Sequence, residues 1–264
     1  VAALELSSGG AGADRFVVLG ASNVSRGIAR LAAALRARGP EPVELFVAAG
    51  HGRGYGVNTR VAWRRLPSIL ASGLWRALDR EQVVRPAAIV TDVGNELLYG
   101  LGVSAVATAV REAVVRLADR GGRIVITGLP LAGIASVGSV RYRLLRTLYV
   151  PGCLLSLAAL KDASRWLDDE LRAIAADTGA TFLEQPGEWY GFDALHVRRL
   201  HLDTFWQRVG DAWGLPVATA RPQPSLTEWA VLGSRAAEVR SLAGRTRLTR
   251  QPVVAREGFR VWMY

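Results

Sequence analysis

The run from Phe16 to Gly27, FVVLGASNVSRG, constrains the fold more than any other stretch of this chain. Its apolar residues Phe16 to Leu19 predict a buried strand. Gly20 ends that strand before a helical pattern that continues to about Arg38. Ser22 then falls on a strand-to-helix turn. There a hydroxyl can stand at the carboxyl edge of a parallel sheet, close to the free N–H groups of the following helix, which favour a developing negative charge. Ser22, Asn23 or Ser25 could equally serve as a plain helix cap at the same place. The choice between these readings depends on the rest of the chain.

The same unit recurs. VELFVAA (Val43 to Ala49) predicts a second strand leading into the glycine loop GHGRGYG, and residues from about Arg64 to Arg80 carry a helical pattern. AAIVTDV after Pro86 is a third strand ending at Gly94, Val103 to Leu117 a helix, and RIVITGLP a fourth strand after Gly121-Gly122. Leu131 to Gly152 mixes arginines with apolar residues and is expected either to be a helix lying over the sheet edge or to act as a substrate lid. A helix from about Leu157 to Thr178 places Trp166, Leu167, Leu171 and Ile174 at core spacing. ATFLEQ is a short fifth strand and Arg198 to Trp213 a last helix. Strands alternating with helices predict an α/β domain in which a parallel sheet of about five strands is covered on both faces. Its functional edge lies at the carboxyl ends of the strands.

Three parts follow. Residues 1–14 are small and glycine-rich and are expected to be a mobile lead-in. Residues 15–215 form the α/β domain. Pro216, Pro222 and Pro224 mark a linker that opens residues 216–264, a basic, β-leaning extension ending FRVWMY that is expected to pack on the core.

The formal charge of +10 raises the question of a nucleic-acid or membrane partner, but only Lys161 of the 33 basic residues is lysine. The arginines are also scattered along helices rather than gathered in one block, so composition weighs against a nucleic-acid partner. No apolar run is long enough to span a bilayer. The single cysteine, Cys153, leaves no internal disulfide, and the chain as given shows no secretory signal. A cytoplasmic, soluble protein is expected, with no cofactor and no metal.

Four places at predicted strand ends or in the final loop carry possible chemistry: Ser22, the loop 50–56, Gly94-Asn95-Glu96, and Asp193-Ala194-Leu195-His196. Hydrolysis by a serine needs a base for the hydroxyl proton, an acid to orient that base, and donors for the oxyanion. An aspartate three residues before a histidine, on a turn, can reach back to one ring nitrogen while the other faces the serine. Of the three histidines, His51 is expected to contact substrate or fill the glycine loop, and His201 to lie on a helix.

In their order Ser, Gly, Asn and D-x-x-H, these residues resemble the SGNH (GDSL) hydrolase family over roughly residues 15 to 213. LGASN resembles the first block, with Gly20-Ala21-Ser22 in place of the usual Gly-Asp-Ser. VGNEL resembles the third, with Glu96 where Asp is usual, and DALH matches the fifth. The second-block glycine falls near Arg53, flanked by Gly52 and Gly54. The resemblance implies a three-layer, flavodoxin-like α/β/α sandwich and a serine esterase, lipase or deacylase that forms an acyl-enzyme on a small or lipid-like ester. It implies Ser22 as nucleophile, His196 as base then acid, and Asp193 as its partner. The oxyanion hole would combine Ser22 N–H, Gly52 or Gly54 N–H, and the Asn95 amide. At Ala21 the family's Asp, which braces the nucleophile loop, is missing.

Three other readings share these residues. An acyltransferase would use the same triad with an alcohol in place of water, and a non-catalytic binding module would keep the fold alone. A short-chain dehydrogenase would share the Gly-Ala-Ser opening. Against that last reading, Asn23 to Arg26 lengthen the turn that would hold pyrophosphate, and Tyr142 is followed by Arg146 where a lysine is needed.

Overall fold

The computed structural model describes residues 14–39, 41–61, 63–215 and 226–264. The lead-in expected over residues 1–14 lies outside them except for Asp14, as do the linker prolines Pro216, Pro222 and Pro224.

The predicted opening unit forms as β1 (Asp14–Leu19) and α1 (Ser22–Arg36), followed by β2 (Val43–Ala48). A short hairpin of β3 (Thr59–Val61) and β4 (Arg64–Leu66) precedes α2 (Leu74–Arg80). The helix expected from Arg64 is therefore confined to its last 7 residues. Pro67 and Gly73 interrupt its period, and β4 is claimed on its other edge by a strand far along the chain, a pairing no local window contains. The chain continues through β5 (Ala87–Val90), α3 (Asn95–Leu98), α4 (Val103–Ala118), β6 (Arg123–Thr127), α5 (Leu131–Ala135) and α6 (Ser139–Tyr149). Next come α7 (Leu157–Thr178), β7 (Thr181–Leu183) and α8 (Leu202–Ala212). The last segment holds α9 (Leu226–Ser234), β8 (Val239–Leu242), β9 (Arg245–Leu248), β10 (Val254–Arg256) and β11 (Phe259–Met263).

The molecule is an α/β sandwich around a mostly parallel sheet of seven strands in the order β10-β11-β2-β1-β5-β6-β7. The parallel strands β2-β1-β5-β6-β7 follow the flavodoxin-like order second-first-third-fourth-fifth. That order places the topological switch, and hence the ligand crevice, between β1 and β5. β11 adds parallel to β2, and β10 antiparallel to β11, so the C-terminal segment supplies the two strands beyond the five expected. A second sheet of four strands, β3-β4-β8-β9, stands apart from the first.

Period-two alternation divides the core. Val17 and Leu19 of β1 face the layer of α2, α4 and α7, whereas Phe16 and Val18 face α1, α8 and α9. α1 buries Val24, Ile28, Leu31, Ala32 and Leu35 at helical spacing. On α7, Leu167, Leu171 and Ile174 are fully buried, but Trp166 is 53% exposed. One residue from the apolar stripe is a turn of about 100° around the helix, which sends Trp166 out to pair its indole N–H with Glu170.

Candidate active site

The turn after β1 is held from outside. Ala21, where the resembled family carries its bracing acid, is buried and caps nothing by its side chain. Asp92, just past β5, does the bracing across the switch point. Its Oδ2 accepts the N–H groups of Ala21, Asn23 and Val24 at 2.8, 2.9 and 3.3 Å, and its Oδ1 accepts the Asn23 side-chain amide at 2.7 Å. Anionic acceptors at a helix N-terminus are favoured by the unpaired N–H groups there. Between Ala21 and Val24, Asp92 takes every backbone N–H but that of Ser22. Asp92 itself sits at φ 56°, a left-handed conformation that aspartate tolerates better than most residues.

Asn23 joins this turn to the D-x-x-H loop. Its side-chain amide donates to Leu195 O at 3.0 Å, and its Oδ1 accepts Val197 N–H at 2.8 Å. The residue beside Ser22 thus clamps the backbone on both sides of His196. Within the loop, His196 Nδ1 meets Asp193 Oδ2 at 2.6 Å, while Asp193 Oδ1 accepts the N–H groups of Leu195 and His196. Burial alone would raise the Asp193 carboxyl, but these hydrogen bonds outweigh it and hold it down to about 2. Asp193 is therefore a fixed negative charge.

On the far side of the switch, Asn95 opens α3 after Gly94, and its amide reaches Arg53 O at 3.4 Å, a long bond that a better acceptor could displace. Glu96 is fully buried and accepts Tyr55 N–H, tying the glycine loop down, and burial raises its carboxyl. A Cβ on Gly54 would lie 2.7 Å from Glu96 Oε1, so only glycine lets the loop and the acid approach this closely. Tyr55 is buried beneath, its hydroxyl donating to Leu19 O and Thr91 O at the ends of β1 and β5. Arg53 is also buried, with its guanidinium donating to the carbonyls of Ala49, Pro67 and Tyr264, and burial lowers it to about 9.

Ser22 and Asn95 line one cleft together with Asp92, Gly128, Gln185 and Leu195. Gly52 and Gly54 do not line it; they belong to the packed loop behind it. The cleft shares Leu98, Ile134, Leu160 and Leu195 with an apolar cavity under α6, lined also by Tyr142, Leu145 and Tyr149. α6 is fixed to the D-x-x-H loop by Arg141, which donates to Gly191 O and Phe192 O, and Tyr149 lies edge-on to the His196 ring at 6.2 Å. His51 stands at the same sheet edge. Burial, then the charges of Arg64, His196 and Arg26, lower its pKa. His201 heads α8, away from the cleft.

Ser22, Asn95, Asp193 and His196 are thus gathered at the carboxyl edge of the sheet. Sequence reasoning missed Asn23 and Asp92. Asn23 could be read only as a cap, and Asp92 only as the end of a strand. The available signal was the vacancy at Ala21 together with an acid at the next strand end.

No protein-family model matches the chain, and no curated protein matches it. Among solved structures it is similar to the psychrotrophic esterase EstA of a Pseudoalteromonas species, in a structure inhibited by monoethylphosphonate. Identity is 11%, coverage 75% of this chain and 96% of that one, and the TM-score 0.45.

Proposed function

We propose that this protein is a serine ester hydrolase of the SGNH type, acting through an acyl-enzyme on a small or lipid-like ester. Ser22 Oγ attacks the ester carbonyl while His196 takes its proton. The carbon–oxygen bond to the alcohol then breaks as His196 returns that proton to the leaving oxygen, and water repeats the sequence to free the acid. Asp193 holds the ring and stabilises its charged form. Ser22 N–H and the Asn95 amide, which both face the cleft, meet the oxyanion. The acyl chain lies in the apolar cavity under α6.

The observation that carries this reading is the Asn23 clamp, which fixes the chain on both sides of His196 against the residue next to Ser22. A helix cap has no use for such a tie. Hydrolysis of p-nitrophenyl esters of increasing chain length, with Ser22→Ala as control, tests it. Turnover should vanish in the variant, and a fluorophosphonate should add to Ser22 in the native protein; turnover that survives Ser22→Ala would sink the proposal.

A further inference from the structure

A second cavity, of about 220 Å³, opens on the β2 side of the first turn of α1, opposite the apolar one. It is lined by Ser25, His51, Arg64, Ser234, Arg235 and Arg240, over an apolar floor, and no carboxylate is among the described residues that line it. Eleven arginines elsewhere in the described chain pair with acids. Arg64, Arg235 and Arg240 do not. Arg64 donates to His51 O at 3.3 Å, and Arg240 Nε is buried with no hydrogen-bond partner among the described residues. Arg64 and Arg240 both line this one cavity, and burial and then the charge of Arg240 lower Arg64. Like charges collected in a half-buried space are unfavourable unless a ligand of opposite sign enters.

Its position ties the cavity to Ser22. Ser25 is one helical turn along α1, where side chains three apart are neighbours at about 5–6 Å. His51 lines the cavity while lying within electrostatic reach of His196. An ester bound at Ser22 therefore has an apolar cavity on one side and a cationic one on the other.

We propose that Arg64, Arg240 and Arg235 form a site for a phosphate-class anion carried on the alcohol half of the ester. The role as a substrate site rests on the ester-hydrolase reading, whereas the anion site does not. In the reaction, the alcohol leaves with its phosphate intact and with the proton returned by His196. Phosphate is the better fit than carboxylate, because one dianion meets several guanidiniums at once.

Two measurements test the site and its use separately. Inorganic phosphate titrated into Ser22→Ala by calorimetry should bind saturably, and should bind at least tenfold more weakly once Arg64→Gln and Arg240→Gln are added. Arg235→Gln, at an exposed position, should weaken binding in the same direction if the double change fails to fold. Phosphate binding that ignores all three arginines would overturn the site, whatever the esterase assays show. In the second measurement, kcat/KM is compared for butyrylglycerol and butyrylglycerol phosphate. The phosphorylated ester should be preferred tenfold or more, with the ratio falling toward one in the arginine variants and standing unchanged in Arg245→Gln. Arginine-dependent phosphate binding with equal turnover of the two esters would make the anion an effector and overturn its assignment to the substrate. If neither ester is hydrolysed but arginine-dependent binding persists, the site stands and the hydrolase reading falls.

Discussion

At the scale of single residues, Asp92 exchanges position with the acid the resembled family keeps before its serine. A carboxylate arriving from the neighbouring strand serves the same amides as one from within the turn, because what matters is an anionic acceptor at the helix start. Asp92→Ala should lower kcat on p-nitrophenyl acetate by about a hundredfold, the cost of a misplacement near 1 Å, with KM little changed. Asp92→Asn, which keeps an acceptor, should recover part of the loss; equal loss in both variants would point to a merely structural role. Asp193 makes a second residue-scale prediction. Its folded-state value of about 2 lies below the ordinary 3.8, so it contributes stability above pH 4 that is lost as pH falls toward 2, on the order of 2 kcal/mol. Asp193→Asn should flatten that acid limb in unfolding titrations. It should also cut turnover by up to about ten thousandfold if the chymotrypsin-type effect transfers.

At the scale of elements, the parts that local pattern determines were legible and the parts that distant contacts determine were not. β1 and α1 could be read because apolar runs, Gly20 and the period of Val24, Ile28 and Leu31 are local. α7 was legible to its ends, closed by a Ser156 cap and by Gly179 at φ 69°. The hairpin β3–β4 was not, since its outer partner β8 lies far along the chain. Over Leu131 to Tyr149 a helix was one of two readings, but its division into two was not visible, because their partners are the 191–196 loop and α7. Of the site, the serine and the D-x-x-H pair were legible as motifs, whereas Asn23 and Asp92 acquire their roles only when β5 lies beside β1. α6 bears on specificity. Leu160 belongs to both the cleft and the apolar cavity, so Leu160→Trp should close the passage between them. The ratio of octanoate to acetate turnover should fall tenfold or more. A parallel fall for both esters would remove the acyl chain from that cavity.

At the scale of the whole molecule, the C-terminal strand links global stability to the glycine loop. β11 pairs with β2 from Phe259 to Met263, Tyr264 N–H donates to Val47 O at 2.8 Å, and the buried Arg53 guanidinium donates to Tyr264 O. Trp262 anchors this strand, 1% exposed and stacked on Phe46 of β2 at 4.4 Å with 9° between the rings. Truncating a buried tryptophan costs about 3–5 kcal/mol through lost contacts and the cavity left behind. For a chain of this size each kcal/mol moves Tm by about 2–4 °C, so Trp262→Ala should lower it by roughly 6–20 °C. The loss should not be uniform. β2 runs directly into Gly50 and His51, and Arg53 is held by the residue that follows β11, so loosening the strand frees the glycine loop before α4 and α7 release their core. Esterase activity of Trp262→Ala should therefore fall several degrees below its unfolding midpoint, and amide exchange should quicken at Arg53 and Tyr55 before it does in α7. If inactivation and unfolding coincide in the variant as in the native protein, β11 supports the fold as a whole and the loop has no separate dependence on it.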